Sequence, residues 1–346
     1  MTYAMAPFDL HRPASLDEAL ALAKAHPGAL YLAGGTDLVV NLRKRLHEPR
    51  HVIQLRNIPE LHGITEVGDA LHIGALVTMD RLAVDETVTR RLPVLAEAAG
   101  LVAGPTIRRM ATVGGNICLD TRCRYYNQSF FWRQANDFCL KKDGDVCHVA
   151  PGGSFCWAAF SGDTPPVLLA LDAQLDLAGP EGARTVSLAD FYGSDGRWSV
   201  GDAPGGLRPG ELLLRVRVPL GGEAWRGVYE KLRVRDSIDY PLVGVALLVR
   251  WREGAARTIE DVRLALTAVN PRPELVPGLE ALRGQPLDVA AVDVLMKAAN
   301  RTGKPMRTTV ADPTYRRAMI GALVEKACLR LAPELQPALD QRARWA

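Results

Sequence analysis

Ala29-Leu30-Tyr31-Leu32-Ala33-Gly34-Gly35-Thr36-Asp37-Leu38 reads as a short apolar strand that ends in a glycine turn. Val39, Leu42 and Leu46 continue at helical spacing, so the unit is a strand, a turn and a helix. Successive backbone N–H groups at such a junction can converge on an anion, because glycine reaches the required angles freely and no side chain blocks the approach. The start of the helix adds its positive end. An ordinary turn would carry the same residues, and neither G-x-G-x-x-G nor a Walker A motif occurs, so a Rossmann or P-loop nucleotide site is not supported.

Upstream, Ser15-Leu16-Asp17-Glu18 has the spacing of a helix capping box, and Leu16, Ala19, Leu20 and Ala23 recur at helical spacing until Pro27-Gly28 stops them. Downstream lies a second small-residue cluster, Val102-Ala103-Gly104-Pro105 followed by Thr112-Val113-Gly114-Gly115-Asn116-Ile117, with Arg108 and Arg109 between. At 346 residues the chain can form two or three domains, and its 48% hydrophobic and 23% charged content is that of a soluble globular protein. No apolar run approaches the roughly 20 residues of a membrane span. The N-terminus shows no charged-then-apolar signal segment, and the expected location is cytoplasmic. A net charge of +3, scattered and without an aromatic-interleaved basic stripe, argues against nucleic acid.

Four cysteines, Cys123, Cys139, Cys147 and Cys156, fall in one stretch with spacing C-x15-C-x7-C-x8-C, and elsewhere only Cys118 and Cys328 occur. Four thiolates can hold zinc or an iron–sulfur cluster, and a cytosolic setting disfavours disulfides. The C-x2-C pairs of zinc ribbons and the C-x2-C-x2-C run of bacterial ferredoxins are missing. Spacing therefore leaves structural zinc, iron–sulfur and inert buried thiols all open.

The two glycine clusters, with Ile73-Gly74-Ala75 between them, resemble the FAD-binding subunits of the molybdenum hydroxylases, the xanthine dehydrogenase family. Similarity extends through Ser161-Gly162-Asp163-Thr164-Pro165-Pro166, Glu211 to Pro219, Tyr229-Glu230-Lys231 and the apolar strand from Leu242 to Trp251, to a last helix holding Tyr315-Arg316-Arg317. The resemblance implies an α/β (α+β) protein. Residues 1–220 would form a two-lobed, non-Rossmann FAD-binding domain of the PCMH type, and residues 221–346 a smaller α+β domain like that of CO dehydrogenase flavoproteins. It further implies that Leu32, Ala33, Gly34, Gly35, Thr36, Asp37 and Leu38 form the pyrophosphate loop, and that Thr112, Gly115, Asn116 and Ile117 form a second flavin loop with Val102 and Ala103 beside it. Asp163 would be the acidic contact on the adenosine side, and Leu214 and Lys231 late contacts near the ring system.

Family members usually join the Gly-Gly-Asn loop to the aspartate segment with a few residues, whereas here Asn116 and Asp163 are 47 positions apart with all four clustered cysteines between them. A loop of that length needs a core of its own. The arrangement resembles one branch of the family, the 4-hydroxybenzoyl-CoA reductases, whose β subunit carries an added four-iron four-sulfur (4Fe-4S) cluster in an insertion at this point, here about 118–160. On that resemblance Cys123, Cys139, Cys147 and Cys156 are the ligands, Cys118 a small packing residue and Cys328 core. His148, beside Cys147, is a lesser candidate ligand.

The same resemblance implies a path from a ferredoxin-type donor through the cluster and FAD to 2Fe-2S clusters and the molybdenum cofactor on partner subunits, where 4-hydroxybenzoyl-CoA would be dehydroxylated. No residue of this chain is assigned to that reaction. Another molybdenum hydroxylase with an aromatic or heterocyclic substrate would keep the same flavin site. Tyr125, Tyr126, Phe130, Phe131 and Trp132 are expected to cover the cluster. Arg122, Arg124, Arg133, Lys141 and Lys142 make the insertion basic, as an ordinary solvated loop or as a docking face for an acidic donor.

Overall fold

The computed structural model describes residues 5–201, 203–221, 225–254 and 257–340. The chain begins with strand Asp9–His11 and helix Leu16–Ala25, whose start follows the expected capping chemistry: the Glu18 N–H donates to Ser15 Oγ at 3.2 Å. The Glu18 carboxylate reaches one residue further back than a capping box requires, accepting from the Ala14 N–H at 2.8 Å. Gly28, at φ +84°, turns the chain into strand Leu30–Leu32. These strands and His51–Gln54 form a three-stranded parallel sheet with His51–Gln54 in the centre. Its core holds Ala19, Ala23, Ile53, Ile58 and Leu61.

The helix after the glycine turn is shorter than expected. It spans Leu38–Arg43, because Lys44 caps it and Arg45 adopts a left-handed backbone at φ 55°. Leu46 lies beyond its end and is buried against Tyr126 and Cys139 of the insertion. Sequence periodicity therefore found a core residue and misassigned the element that carries it.

The second lobe is a five-stranded antiparallel sheet in the order Ile64–Val67, Ala70–Gly74, Leu212–Pro219, Gln174–Gly179, Gly182–Ser187. Helices Pro93–Gly100 and Thr164–Ala170 lie in its core. The strand Leu212–Pro219 also sends Leu212 into the core of the first lobe, which joins the two.

The third unit is a four-stranded antiparallel sheet in the order Glu274–Leu275, Ile259–Thr267, Val243–Trp251, Trp225–Leu232, with helices Val289–Thr302 and Pro313–Leu331. Strand alternation splits its side chains. Val245, Leu247 and Val249 pack with those helices, whereas Ala246, Leu248 and Ala265 join the core of the second lobe. Burial on both faces explains why Val243–Trp251 reads as a continuous apolar run.

The insertion leaves and returns through an antiparallel bridge: the Arg122 N–H donates to Ala159 O and the Ala159 N–H to Arg122 O, both at 2.8 Å. Its one helix is Phe130–Ala135, capped by Ser129, and the rest is turns.

Candidate functional site

A cavity of about 810 Å³ opens between the two N-terminal lobes. Strand Leu30–Leu32 delivers one glycine loop to it and the turn before helix Val113–Ile117 delivers the other. The loops interlock through backbone: a Cβ on Gly34 would stand 1.6 Å from Met110 O, and one on Gly114 2.9 Å from the Ala75 Cβ. Gly35 adopts φ +73°, where side chains are strained. Among the described residues no acceptor meets the backbone N–H groups of Gly34, Gly35 and Thr36. Amides left without partners beside a cavity suit an anionic group.

Of the residues named from sequence, Ala33, Gly34, Gly35, Thr36, Asp37, Leu38, Val102, Ala103, Thr112, Gly115, Asn116 and Asp163 line this cleft. Four do not. Leu32 is spent on the sheet edge, its carbonyl accepting from Leu55 N at 2.9 Å, and Ile117 is fully buried in the core of the second lobe. Leu214 packs with the core of the first lobe while its carbonyl accepts from Ala75 N. Lys231 lies behind the cleft wall, donating to Asp163 Oδ2 and Leu101 O, both at 2.9 Å.

Asp163 is itself 3% exposed, and its other oxygen accepts from Tyr229 Oη at 2.8 Å. Burial raises its pKa against the pull of Lys231 and Tyr229. With both oxygens engaged, Asp163 anchors the cleft wall to strand Trp225–Leu232. Asn116 acts similarly, its Oδ1 accepting from Thr164 N at 3.1 Å and Thr164 Oγ1 at 2.7 Å.

Asp37 connects the cleft to the insertion. Its carboxylate pairs with Arg122, the residue before Cys123, and accepts from Asn41 Nδ2 at 3.0 Å and Tyr240 Oη at 3.4 Å. The Arg122 guanidinium also lies 4.9 Å from the Tyr240 ring centroid. Three further ties run from the insertion to the segment after the glycine turn: Lys44 Nζ donates to Asn127 Oδ1 at 2.9 Å, Arg133 donates to Arg45 O at 2.7 Å, and Leu46 packs on Tyr126.

Within the insertion Cys139, Cys147 and Cys156 are buried and Cys123 half-buried, all as free thiols. Cys123 Sγ accepts from Tyr126 N at 3.3 Å. Burial raises the Cys123 thiol to about 11 and the Cys156 thiol to about 12, partly offset by backbone N–H donors to each sulfur and by the Lys141 ammonium. Negative charge on Cys139 would raise the Cys123 thiol further, and on Cys123 or Cys147 the Cys156 thiol. The four sulfurs are not drawn tightly together: among the described residues only His11, His26 and His51 bring three ligand atoms within 4.8 Å of one another. Thiolates around one tetrahedral zinc would stand about 3.8 Å apart, given Zn–S bonds of about 2.3 Å. Among the described residues the four thiols therefore form no such tight metal site, and backbone N–H donors reach Cys123 and Cys156.

Several expectations for the insertion need correction. Lys141 is not a surface charge. It is 1% exposed, and its ammonium donates to Asp120 Oδ1 at 2.7 Å, Thr121 O at 2.8 Å, Ser199 Oγ at 2.9 Å and Gly196 O at 3.1 Å. Arg133 is buried and Arg122 points at Asp37, so three of the five basic residues face inward because local carboxylates and carbonyls outcompete water for them. Tyr126 packs with Cys139 and Cys123, whereas Phe131 and Trp132 are 60% and 39% exposed. His148 is engaged with Phe138 O at 2.6 Å and the Tyr125 ring.

Sequence reasoning missed several residues of the cleft, including Tyr31, His47, Asp120, Trp198, Ser199, Arg208 and Tyr240. No motif surrounds them. Only the alternation of strand Leu30–Leu32 hints that Tyr31 faces away from its neighbours, and its hydroxyl donates to Gly210 O at 2.9 Å.

The model of the FAD-binding domain in molybdopterin dehydrogenase matches residues 6–221, and that of the CO dehydrogenase flavoprotein C-terminal domain matches residues 228–331. The chain belongs to the FAD-binding subunits of the molybdenum hydroxylases. It is 31% identical to the carbon monoxide dehydrogenase medium chain of Hydrogenophaga pseudoflava, over 92% of this chain and 95% of that protein. It is 32% identical to the aldehyde oxidoreductase FAD-binding subunit of Escherichia coli K12, over 87% and 93% respectively. The structure superposes on a chain of the reconstituted CO dehydrogenase from Oligotropha carboxidovorans with a TM-score of 0.76 at 28% identity, covering 94% of this chain and 97% of that one. The α/β fold with its PCMH-type FAD-binding domain is thus that of the CO dehydrogenase medium chains, and this oxidoreductase subunit binds FAD. Among the described residues no helix is long and apolar enough to cross a membrane.

Proposed function

We propose that this chain is the FAD and iron–sulfur electron-transfer subunit of a molybdenum enzyme of the 4-hydroxybenzoyl-CoA reductase type. The observation that carries this reading is the Arg122–Asp37 pair, which ties a buried four-cysteine insertion to the loop lining the flavin cleft. In this reading the loop from Ala33 to Leu38 and the loop from Thr112 to Asn116 hold FAD, with the amides of Gly34, Gly35 and Thr36 facing its pyrophosphate. Val102 and Ala103 supply wall without bulk. Cys123, Cys139, Cys147 and Cys156 hold a 4Fe-4S cluster.

When bound, FAD exchanges electrons singly or in pairs and the cluster exchanges them singly, so the two together join one-electron carriers to two-electron chemistry. This chain's residues position and insulate both. Arg122, Lys44 and Arg133 fix the insertion against the cleft, and Lys141 places a buried positive charge near Cys123 and Cys156. A cationic neighbour favours the reduced, more negative form of a thiolate-bound centre. Electrons would arrive from a ferredoxin-type donor and leave for 2Fe-2S and molybdenum-cofactor subunits, in the cytoplasm, where these thiols stay reduced. The exposed Phe131 and Trp132 offer the donor an apolar contact in place of the basic face that Lys141 and Arg133 do not form.

A second reading keeps the flavin site and changes the substrate: a molybdenum hydroxylase acting on another aromatic or heterocyclic compound. It is favoured by relatives that carry the names of xanthine and nicotine enzymes. The test is a Cys139→Ala chain in the native complex. Iron should fall and FAD remain, and a ferredoxin-type donor should then reduce the flavin far more slowly while a direct chemical donor is little affected. Unchanged reduction by the ferredoxin in a cluster-free complex would refute the electron path, and absence of 4-hydroxybenzoyl-CoA turnover by the intact complex would favour the second reading.

A further inference from the structure

Three histidines meet on the N-terminal lobe, outside the lining of the flavin cleft and outside the insertion. His11 ends strand Asp9–His11, and His51 begins strand His51–Gln54, which pairs with it in parallel register. His26 caps the end of helix Leu16–Ala25, its N–H donating to Leu22 O at 2.9 Å. His11 Nε2 stands 3.1 Å from His51 Nδ1, and the His26 ring stacks at 3.9 Å on that of His51 and at 4.9 Å on that of His11. One ring nitrogen from each lies within 4.8 Å of the other two, and the three side chains are half-buried. The Asp9 carboxylate approaches the same His51 Nδ1 at 3.7 Å from the solvent side.

Apolar packing alone does not call for three titratable rings in mutual contact, with the His11 and His51 nitrogens facing one another. Donor atoms around a tetrahedral zinc with bonds of about 2.0–2.1 Å are separated by about 3.4 Å, a value that the 3.1 Å and 3.7 Å spacings at His51 bracket. The backbones of His11 and His51 are held by strand pairing and that of His26 by the helix end, so the site is supported before any ion arrives.

We propose that His11, His26, His51 and Asp9 form a binding site for a divalent transition metal of the zinc class. Imidazole donors select zinc, nickel or copper over magnesium and calcium. The ion would clip the first strand, the first helix and the central strand of the small parallel sheet. That sheet's outer strand, Leu30–Leu32, delivers the Gly34-Gly35 turn, so the clip would stiffen one wall of the cleft from outside.

The test titrates zinc chloride into the flavin-loaded protein at pH 7.5 by calorimetry, with the cysteines left as isolated. The wild-type chain should bind one zinc that the His11→Gln/His26→Gln/His51→Gln chain does not. His26→Gln and His51→Gln singly should each weaken that zinc by about tenfold or more, equivalent to about 1.4 kcal/mol. Cobalt(II) at this site should show ligand-field bands without thiolate charge transfer, which separates it from ions taken up by cysteine. Flavin content checks folding, and if a histidine variant loses flavin, the exposed Asp9→Asn is used instead and should weaken zinc while keeping FAD. Equal zinc stoichiometry and affinity in the wild-type and triple-variant chains, or thiolate charge transfer from the cobalt that the triple variant loses, would overturn the proposal, as would an Asp9→Asn chain that retains FAD and binds zinc like the wild type.

Discussion

Lys141→Met should destabilise the folded chain by about 3–5 kcal/mol at pH 7.5, the usual cost of removing one partner of a buried ion pair. Lys141 and Asp120 are 2.7 Å apart, with side chains 1% and 8% exposed. At an effective dielectric of about 20 their gross attraction is roughly 6 kcal/mol, part of which offsets desolvation. Methionine keeps the volume but, among the described residues, leaves the Asp120 carboxylate with Tyr126 and Ser199 as donors at 2.7 Å and 2.6 Å and His47 farther off at 3.6 Å. The sign of the pH dependence follows from Asp120. Burial would raise its pKa, but Lys141 and His47 outweigh burial and hold the carboxyl well below the usual carboxylate range. In the wild-type chain this contributes stability above about pH 3.9, lost as the pH falls through the folded value. In the variant burial dominates, the folded pKa rises above the unfolded one, and the cost shrinks as acid protonates the carboxyl. Urea unfolding at pH 7.5 and pH 5 should therefore show a large loss that narrows at the lower pH, and Lys141→Met combined with Asp120→Leu should recover much of it. A loss below about 1 kcal/mol at pH 7.5, or one equal at both pH values, would refute the argument.

Gly34→Ala should lower both melting temperature and FAD retention, because its Cβ would stand 1.6 Å from Met110 O, whereas Gly115→Ala, whose Cβ meets Thr112 Oγ1 at 3.1 Å, should fold normally. Equal melting of the two variants would count against interlocked loops. Arg122→Ala should accelerate FAD release by about tenfold by freeing Asp37, a change of about 1.4 kcal/mol read by stopped-flow fluorescence, and an unchanged rate would show the pair to be incidental. Separated from partner chains, this subunit should accept electrons from a low-potential donor yet convert no thioester, and steady turnover of 4-hydroxybenzoyl-CoA by it alone would contradict the proposed role.

Local chemistry was legible in the chain. Ser15 and Glu18 announced the first helix, Gly28 its end, and the apolar run from Leu242 to Trp251 a strand, which the structure shows over Val243–Trp251. The two glycine turns pointed to a cleft, and twelve of the sixteen residues named from resemblance line it. Leu32, Ile117, Leu214 and Lys231 lie off its lining, because adjacency to a motif does not say which way a side chain turns, and each of the four is engaged in a sheet, a core or an ion pair.

The amino-acid sequence by itself determined the first helix and the glycine turns, since capping, periodicity and turn chemistry act over a few residues, and its motifs carried the resemblance to the family. Tertiary structure alone decided partners distant along the chain. Gly34 is required by the backbone of Met110, Asp163 is held by Lys231, and Arg122 of the insertion is drawn to Asp37. Lys141, one more charge in a basic stretch when read in order, becomes the buried centre of a network with Asp120 and Ser199. Pairing of this kind depends on where the chain is brought back on itself, and the free energy of a charge changes by several kcal/mol according to whether water or a carboxylate meets it there.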